Sequence, residues 1–379
     1  MVQFGKDQPG NELPTRPYPP QFAARDGGGV QKKPMSPLII INTAVAAFTI
    51  AAWLTRQFCS PDSVVYMLDQ PNERSLHDRP VPRGGGLAIL IAIVVCGATV
   101  TLFHPVSGLA GVALGILMVA IVSFLDDRYS VPSLYRLVAQ AAAAAAILYG
   151  GFFLQKLEIP GVSWHWPYAA GAVFSALFTV WMINLYNFMD GMDGFAGGMA
   201  VFGFGVFAVM GWMAGHDAFF LISLIIVAAS AGFLIFNFPP ARIFMGDIGS
   251  STLGLLAATL SLWGARDGVF PVWIAVLVFS PFIVDATATL LQRFLRHERI
   301  WQAHKTHYYQ QLVQAGWGHR RTVLLEYAIM LGCGITALWV VHTTAEMQVA
   351  ILAGWVLFYF SFFFWVSRFV ARRNKAGTL

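Results

Sequence analysis

The residues best equipped for chemistry are Asn184, Asn187, Asp190 and Asp193, spaced by threes within Asn184-Leu-Tyr-Asn-Phe-Met-Asp-Gly-Met-Asp-Gly194. On a helix, at about 100° per residue, that spacing lays amides and carboxylates along one slowly drifting stripe. Apolar runs flank the stretch, from Tyr168 to Ile183 before it and from Phe195 to Ala214 after it. An unsatisfied polar group in an apolar medium costs about 2–7 kcal/mol. Four together therefore need a wet cavity, a metal or a polar ligand. A single Asp would read as a polar turn between two spans; four polar groups with two glycines do not.

Further stretches carry groups of the same kind. The run Ser123-Phe-Leu-Asp126-Asp127 closes on two adjacent carboxylates. They repel each other and, on a helix, point about 100° apart, so they take separate jobs. One faces a reacting centre, and the other holds Arg128, another cation or a metal. Acids at a helix C-terminus oppose the macrodipole, which asks for a functional reason. Asp247 sits between Gly246 and Ile248-Gly249, where small neighbours let a phosphate approach, and Ser250 or Ser251 is placed to cap the next helix. In the loop from Asp69 to Gly86, Pro80 and Pro82 add stiffness, and Gly84 to Gly86 allow backbone N–H groups to point at an anion. Arg79 and Arg83 add charge-assisted phosphate contacts. His304 and His307, one turn apart, are placed to meet a pyrophosphate together. Asp285, inside an apolar run, either faces the bundle interior and pairs with a Lys or Arg or is structural, with a chemical role ranked below the loop residues.

Positioning these groups falls to apolar segments. Of the 379 residues 57% are hydrophobic and 11% charged, with mean hydropathy +0.63, which excludes a soluble globular chain. Runs of about 20 residues cross a bilayer. Eleven are found, near 38–57, 86–104, 106–124, 134–153, 168–186, 195–215, 218–236, 249–264, 271–292, 322–342 and 347–367. The fold class is all-α, a polytopic membrane protein with about 11 transmembrane helices. One membrane-embedded domain over 38–367 follows, between a Pro- and Gly-rich segment 1–37, read as disordered, and a basic tail 368–379. Beyond residue 37, Lys and Arg gather in the loops of one face, with Lys156 and Arg266 as exceptions. That face is cytoplasmic by the positive-inside rule. The same alternation places the N-terminus outside, where Lys32 and Lys33 conflict with the rule; a start at Met35 would remove the conflict. Cys59, Cys96 and Cys333 form no disulfide pattern.

Taken together, four motifs resemble the signatures of the polyprenyl-phosphate N-acetylhexosamine-1-phosphate transferases, in glycosyltransferase family 4. They are Asn184-x-x-Asn-x-x-Asp-Gly-x-Asp-Gly194, the Asp126-Asp127 pair, His77-x-x-Pro-x-Pro-x-Gly-Gly, and Phe236-Asn-x-x-Pro-Ala-x-x-Phe-Met-Gly-Asp247-x-Gly-Ser. The resemblance covers most of residues 69–321. It implies an enzyme that moves N-acetylhexosamine-1-phosphate from a UDP-N-acetylhexosamine to undecaprenyl phosphate, releasing UMP. That reaction would be the first membrane step of O-antigen or a related cell-surface glycan, in the inner membrane with the site on the cytoplasmic face. It implies magnesium, or manganese, on Asp247, with Asp126 and Asp127 as the other catalytic carboxylates. Asn184, Asn187, Asp190, Asp193, Asn237 and Phe244 would hold the donor, with His304, His307, Arg79 and Arg83 on phosphate. Membrane lipids are further partners, a homodimer is allowed, and nucleic acid is not expected.

The alternative within the family is phospho-MurNAc-pentapeptide transfer. This chain has His304-x-x-His-Tyr-Tyr where that branch has His-His-His, which favours a smaller donor. A CDP-alcohol phosphotransferase needs Asp-Gly-x-x-Ala-Arg, and Asp193-Gly-Phe-Ala-Gly-Gly198 lacks the Arg. A transporter would show inverted repeats and polar groups near the midplane.

Overall fold

The computed structural model describes residues 36–71, 76–298 and 304–376. The expected disorder before residue 36 and the start at Met35 lie outside the described residues. The long helices are α1 (Pro37–Phe58), α2 (Gly85–Phe103), α3 (Leu109–Tyr129), α4 (Ser133–Tyr149), α5 (Tyr168–Met189), α6 (Phe195–Met213), α7 (Asp217–Asn237) and α8 (Asp247–Arg266). A short α9 (Val272–Val278), α10 (Ser280–Leu295), a one-turn α11 (Tyr308–Leu312), α12 (Gly318–Val340) and α13 (Ala345–Ala376) complete the chain. In lipid a helix satisfies its own backbone, which is why uninterrupted apolar runs take this form.

All eleven expected apolar segments fall on helices, but not each as a separate crossing. Among the described residues nine helices are long and apolar enough to span a membrane, and α9 with α10 qualify only as a pair bent by 79°, giving ten at most. Pro281 in the first turn of α10 explains the break, since it brings no N–H to continue α9. α4, at 17 residues, falls short on length. Two antiparallel hairpins were not expected. β1 (Met67–Asp69) pairs with β2 (Val81–Arg83), and β3 (Lys156–Ile159) pairs with β4 (Val162–His165) in the loop between α4 and α5.

The bundle is built around α8, whose residues from Ile248 to Gly264 are all buried. It is wrapped by α2, α3 and α5. Small residues allow this approach: a methyl on Gly86 of α2 would stand 2.2 Å from the Gly249 Cα of α8, and one on Gly254 would meet the Met182 carbonyl oxygen at 2.5 Å. Close approach of this sort replaces the hydrophobic driving force that lipid removes. Gly86→Ala should therefore lower the thermal midpoint in detergent by the equivalent of roughly 1–3 kcal/mol. Gly97→Ala, on the same helix with nothing within 4 Å of the added methyl, should leave the midpoint unchanged or raise it. Equal midpoints for the two variants would contradict this account of α2.

One end of the bundle gathers the chemistry. The C-termini of α3, α5 and α7 meet the N-termini of α2 and α8 there, carrying Asp126, Asp127, Asp190, Asn237, Gly85 and Asp247. The Phe244–Met245 segment is stitched across this end. Phe244 N–H donates to the Pro82 carbonyl at 2.8 Å, and Gly85 and Gly86 N–H donate to the Phe244 and Met245 carbonyls at 3.0 and 2.8 Å. The glycine run therefore joins two loops. Its Gly85 and Gly86 donors are occupied, which corrects the expectation that they point at an anion.

Candidate active site

A cavity of about 400 Å³ opens at this end. Its walls come from the β1–β2 hairpin (Asp69, Leu76, His77, Arg83), the α5–α6 turn (Asp190 to Asp193), the α7–α8 loop (Asn237, Phe244 to Asp247), Asp127 and the α11–α12 region (Gln310, His319). α5 stops at Met189, so the four-residue stripe is not continuous helix: Asn184 and Asn187 lie on α5, Asp190 caps it, and Asp193 is in the turn.

Asp247 is a carboxylate that could hold a metal. Asn187 Nδ2 donates to its Oδ1 at 3.0 Å and to Ser250 Oγ at 3.0 Å. Its Oδ2 has Arg136 Nη1 at 3.9 Å and keeps an open side, since about a third of the side chain remains exposed. Asp190 faces the same cavity with no hydrogen bond to its carboxylate among the described residues. Burial, and then the charges of Asp247 and Asp127, raise its pKa well above the ordinary carboxylate range. An uncompensated acid of that kind is suited to a cation. Among the described residues no three His, Cys, Asp or Glu side chains form a metal-binding group. Asp247 and Asp190, facing one cavity, could hold an ion that takes one or two carboxylates and completes its shell with phosphate and water, as magnesium does.

The adjacent acids do divide their work. Asp127 caps α8 from outside it, accepting the N–H of Asp247 at Oδ1 (3.0 Å) and of Ile248 at Oδ2 (3.2 Å). Neither Ser250 nor Ser251 caps that helix; Ser250 Oγ donates to the Gly246 carbonyl instead. Gly246, at φ 77°, passes so close that a methyl there would lie 2.9 Å from Asp127 Oδ2. Arg83 completes the set, donating to Asp127 Oδ1 at 3.3 Å and to Asp69. Burial opposes the charge on Arg83, but Asp69, Asp127 and Asp247 outweigh it and raise its pKa. Asp126 accepts the Val131 N–H at 2.7 Å and Arg136 Nη1 at 2.6 Å. Both acids of the pair are thus engaged, and Arg128 holds neither.

The remaining predicted residues separate into wall and scaffold. Asp193 accepts the Ala241 N–H at 2.9 Å and faces His319 Nδ1 at 3.0 Å, while His319 Nε2 reaches the Leu76 carbonyl at 3.2 Å. Asn237 lines the cavity, yet its amide is spent on the backbone, accepting Gly194 N–H and donating to the Ile243 carbonyl, both at 2.9 Å. Phe244 is met edge-on by the His77 ring at 4.8 Å. Six predicted residues do not line the cavity: Asp126 and Asn187, described above, and Asn184, Arg79, His307 and His304. Asn184 pairs with Gln140, donating at 2.7 Å, deep among the helices. Arg79 is exposed. His307 is buried against Asp285 Oδ1 at 3.2 Å. His304 lies beside it, with ring centroids 4.8 Å apart; burial, and then the neighbouring His307 and Arg293, lower its pKa to about 4.

The partners found for Asp285 among the described residues are His307, Thr289 and backbone N–H groups, rather than the expected Lys or Arg. Asp285 accepts His307 and the N–H groups of Tyr308 and Tyr309 at 3.0 and 3.1 Å, and so anchors α11. α11 itself is buried at four of its five residues. Asp69, His77, Arg136, Gln310 and His319 were absent from the predicted site. His319 stands in Gly318-His-Arg-Arg321, where a basic run hides it, and Arg136 belongs to no motif.

The division predicts opposite phenotypes for two neighbouring amides. Asn187→Ala removes the group that orients Asp247 and should slow turnover about tenfold or more. Asn184→Ala strands Gln140 and should cost about 1–3 kcal/mol of stability, with the folded fraction turning over near the wild-type rate. Turnover and thermal midpoint measured on both variants decide it; equal turnover losses would contradict the assignment.

Comparison with known proteins agrees with the geometry. Residues 109–265 match the family profile of glycosyl transferase family 4. The chain is 31% identical over 296 residues to a probable undecaprenyl-phosphate N-acetylglucosaminyl 1-phosphate transferase of Bacillus subtilis, covering 77% of this chain and 82% of that protein. It is 31% identical to a decaprenyl-phosphate N-acetylglucosaminephosphotransferase of Mycolicibacterium smegmatis, over 79% and 80% of the two chains. It is also 28% identical to a phospho-N-acetylmuramoyl-pentapeptide-transferase of Staphylococcus epidermidis, over 68% of this chain and 84% of that protein.

Proposed function

The chain belongs to glycosyl transferase family 4, the polyprenyl-phosphate sugar-1-phosphate transferases, and from that premise we propose that it moves N-acetylhexosamine-1-phosphate from a UDP-sugar to undecaprenyl phosphate and releases UMP. The observation that carries the proposal is the open cavity where Asp247 and Asp190 face the same space beside Arg83, at one end of a membrane bundle. Diester and monoester phosphates are already anionic near neutral pH. The site must therefore reduce repulsion between donor and acceptor more than it must create a nucleophile. A phosphate oxygen of the lipid attacks the sugar-bearing phosphorus, the bond to the bridging oxygen breaks, and UMP leaves with that electron pair.

Asp247 is assigned to hold magnesium, with Asn187 fixing the orientation of its carboxylate. Magnesium, when bound, neutralises the donor pyrophosphate. Arg83, on the wall beside it, is placed to meet phosphate oxygens. Arg136, between Asp126 and Asp247, keeps these acids from repelling an incoming anion. Asp127 acts through α8: by capping its first turn it fixes where Asp247 stands. The nucleotide is assigned to the wall of Phe244, Asn237 and Asp193.

O-antigen or a related surface glycan is the product line we favour. The match to the pentapeptide transferase of Staphylococcus epidermidis supports a second reading, with UDP-MurNAc-pentapeptide as donor. A panel of UDP-sugars with undecaprenyl phosphate and magnesium separates the two. Turnover of small UDP-N-acetylhexosamines and none of the pentapeptide donor is expected, and the reverse would overturn the preference. We also assign the site to the cytoplasmic face of the inner membrane, from the basic loops and the Arg372-Arg373-Asn-Lys375 tail. A reporter fused after Leu379 should register the cytoplasm; a periplasmic signal would refute this orientation.

A further inference from the structure

Most polar side chains around the cavity are already spent on the protein itself. Asn237 uses both ends of its amide, Asp193 holds Ala241 and His319, and Asp127 holds α8 and Arg83. Gln310, like His77 with its unpartnered Nε2, is an exception among the described residues. It lines the cavity from α11 and is 5% exposed. Its Oε1 accepts the His307 N–H at 3.2 Å, which fixes the amide's orientation and turns Nε2 the other way. Of its two N–H bonds one is directed at the neighbouring Tyr309 hydroxyl, and no other acceptor takes Nε2 among the described residues. The side chain is held firmly, because a methyl on Gly191 of the cavity wall would stand only 2.9 Å from Nε2 and 2.4 Å from the Tyr309 hydroxyl. That hydroxyl is buried, and its own proton is donated to no acceptor among the described residues. Leaving such donors unmade costs about 1–3 kcal/mol each, which a ligand bearing an acceptor would recover.

The shape of a UDP-sugar decides which part of it arrives there. With the base on the Phe244 wall and the pyrophosphate beside Asp247 and Arg83, the wall left for the sugar includes Asp190, Gly191 and Gln310. We propose that Gln310 Nε2 donates to the carbonyl oxygen of the donor's 2-acetamido group, making Gln310 the residue that selects an N-acetylated sugar over its plain hydroxyl counterpart. Asp285 positions it, since its carboxylate holds the two N–H groups that open α11 and the His307 ring. The inference rests on the transferase reading above and deepens it.

Gln310→Glu tests it with little change of shape, because the variant keeps the acceptor for His307 N–H while it replaces the donor with a carboxylate oxygen. The quantities to measure are kcat/KM for UDP-N-acetylglucosamine and for UDP-glucose, with the Kd of UMP as the control for the nucleotide wall. The expected result is a loss of about tenfold in the preference for the acetamido sugar, the value of one hydrogen bond of roughly 1.4 kcal/mol, with UMP affinity unchanged. Gln310→Met, of similar length and without a donor, should lose the same preference, so a charge effect or poor folding of the Glu variant does not decide the outcome. An unchanged preference in both variants overturns the proposal, as does an equal weakening of both sugars and UMP, which would mark Gln310 as purely structural. Failure of the wild-type protein to release UMP from any UDP-sugar would instead overturn the transferase reading itself.

Discussion

Asp247→Asn should reduce UMP release by about 10²–10³-fold while leaving the protein folded. The substitution keeps the side chain's size and the oxygen that accepts Asn187 Nδ2. It also leaves untouched the backbone N–H that Asp127 caps, so the first turn of α8 should remain in place. What is lost is one negative charge at the cavity, where no cluster of three metal-ligating side chains among the described residues could take its place. Rates across a magnesium titration, with the thermal midpoint as the folding control, test this. A variant that turns over near the wild-type rate at ordinary magnesium would remove Asp247 from the metal site.

Asp190→Asn should have a double signature: turnover lower by about 10²-fold, and higher heat stability without metal. The sign follows from linkage. The folded-state pKa of Asp190 is raised, by burial first and then by Asp247 and Asp127. Its contribution to stability is therefore whole below the ordinary carboxylate pKa near 3.8, and is lost as pH rises through the elevated folded value. Metal-free wild type should thus lose stability between mildly acidic and neutral pH, and Asp190→Asn should lose less. Magnesium should stabilise the wild type more at the upper end of that window than at the lower. Thermal midpoints at several pH values, with and without magnesium, read both effects. Identical pH profiles for the two proteins would show that Asp190 carries no such charge.

Much of this organisation was legible because membrane helices announce themselves by composition. Every expected apolar run lies on a helix, since lipid leaves the backbone little alternative. The limits came where tertiary contacts, not propensity, decide. Pro281 breaks a segment that reads as one run, and the β1–β2 hairpin forms because its strands frame the cavity rather than because three-residue strands persist alone. Motif spacing located the wall formed by Asp190, Asp193 and Asp247. It could not say which groups were spent. Asn184 and Asn187 look equivalent three residues apart, yet one meets Gln140 and the other Asp247. His307 looks like a phosphate ligand until Asp285 is found beneath it. Neither Gln140 nor Asp285 is near those residues in sequence, so only the fold reveals the pairing.

The identity of the nucleotide product tests the central claim most directly. Purified protein given a UDP-N-acetylhexosamine, undecaprenyl phosphate and magnesium should release UMP in a one-to-one ratio with a lipid that has gained sugar and phosphate together, as mass spectrometry would read it. Release of UDP with a lipid that gained sugar alone would mean attack at the sugar carbon, and would contradict phosphosugar transfer at Asp247.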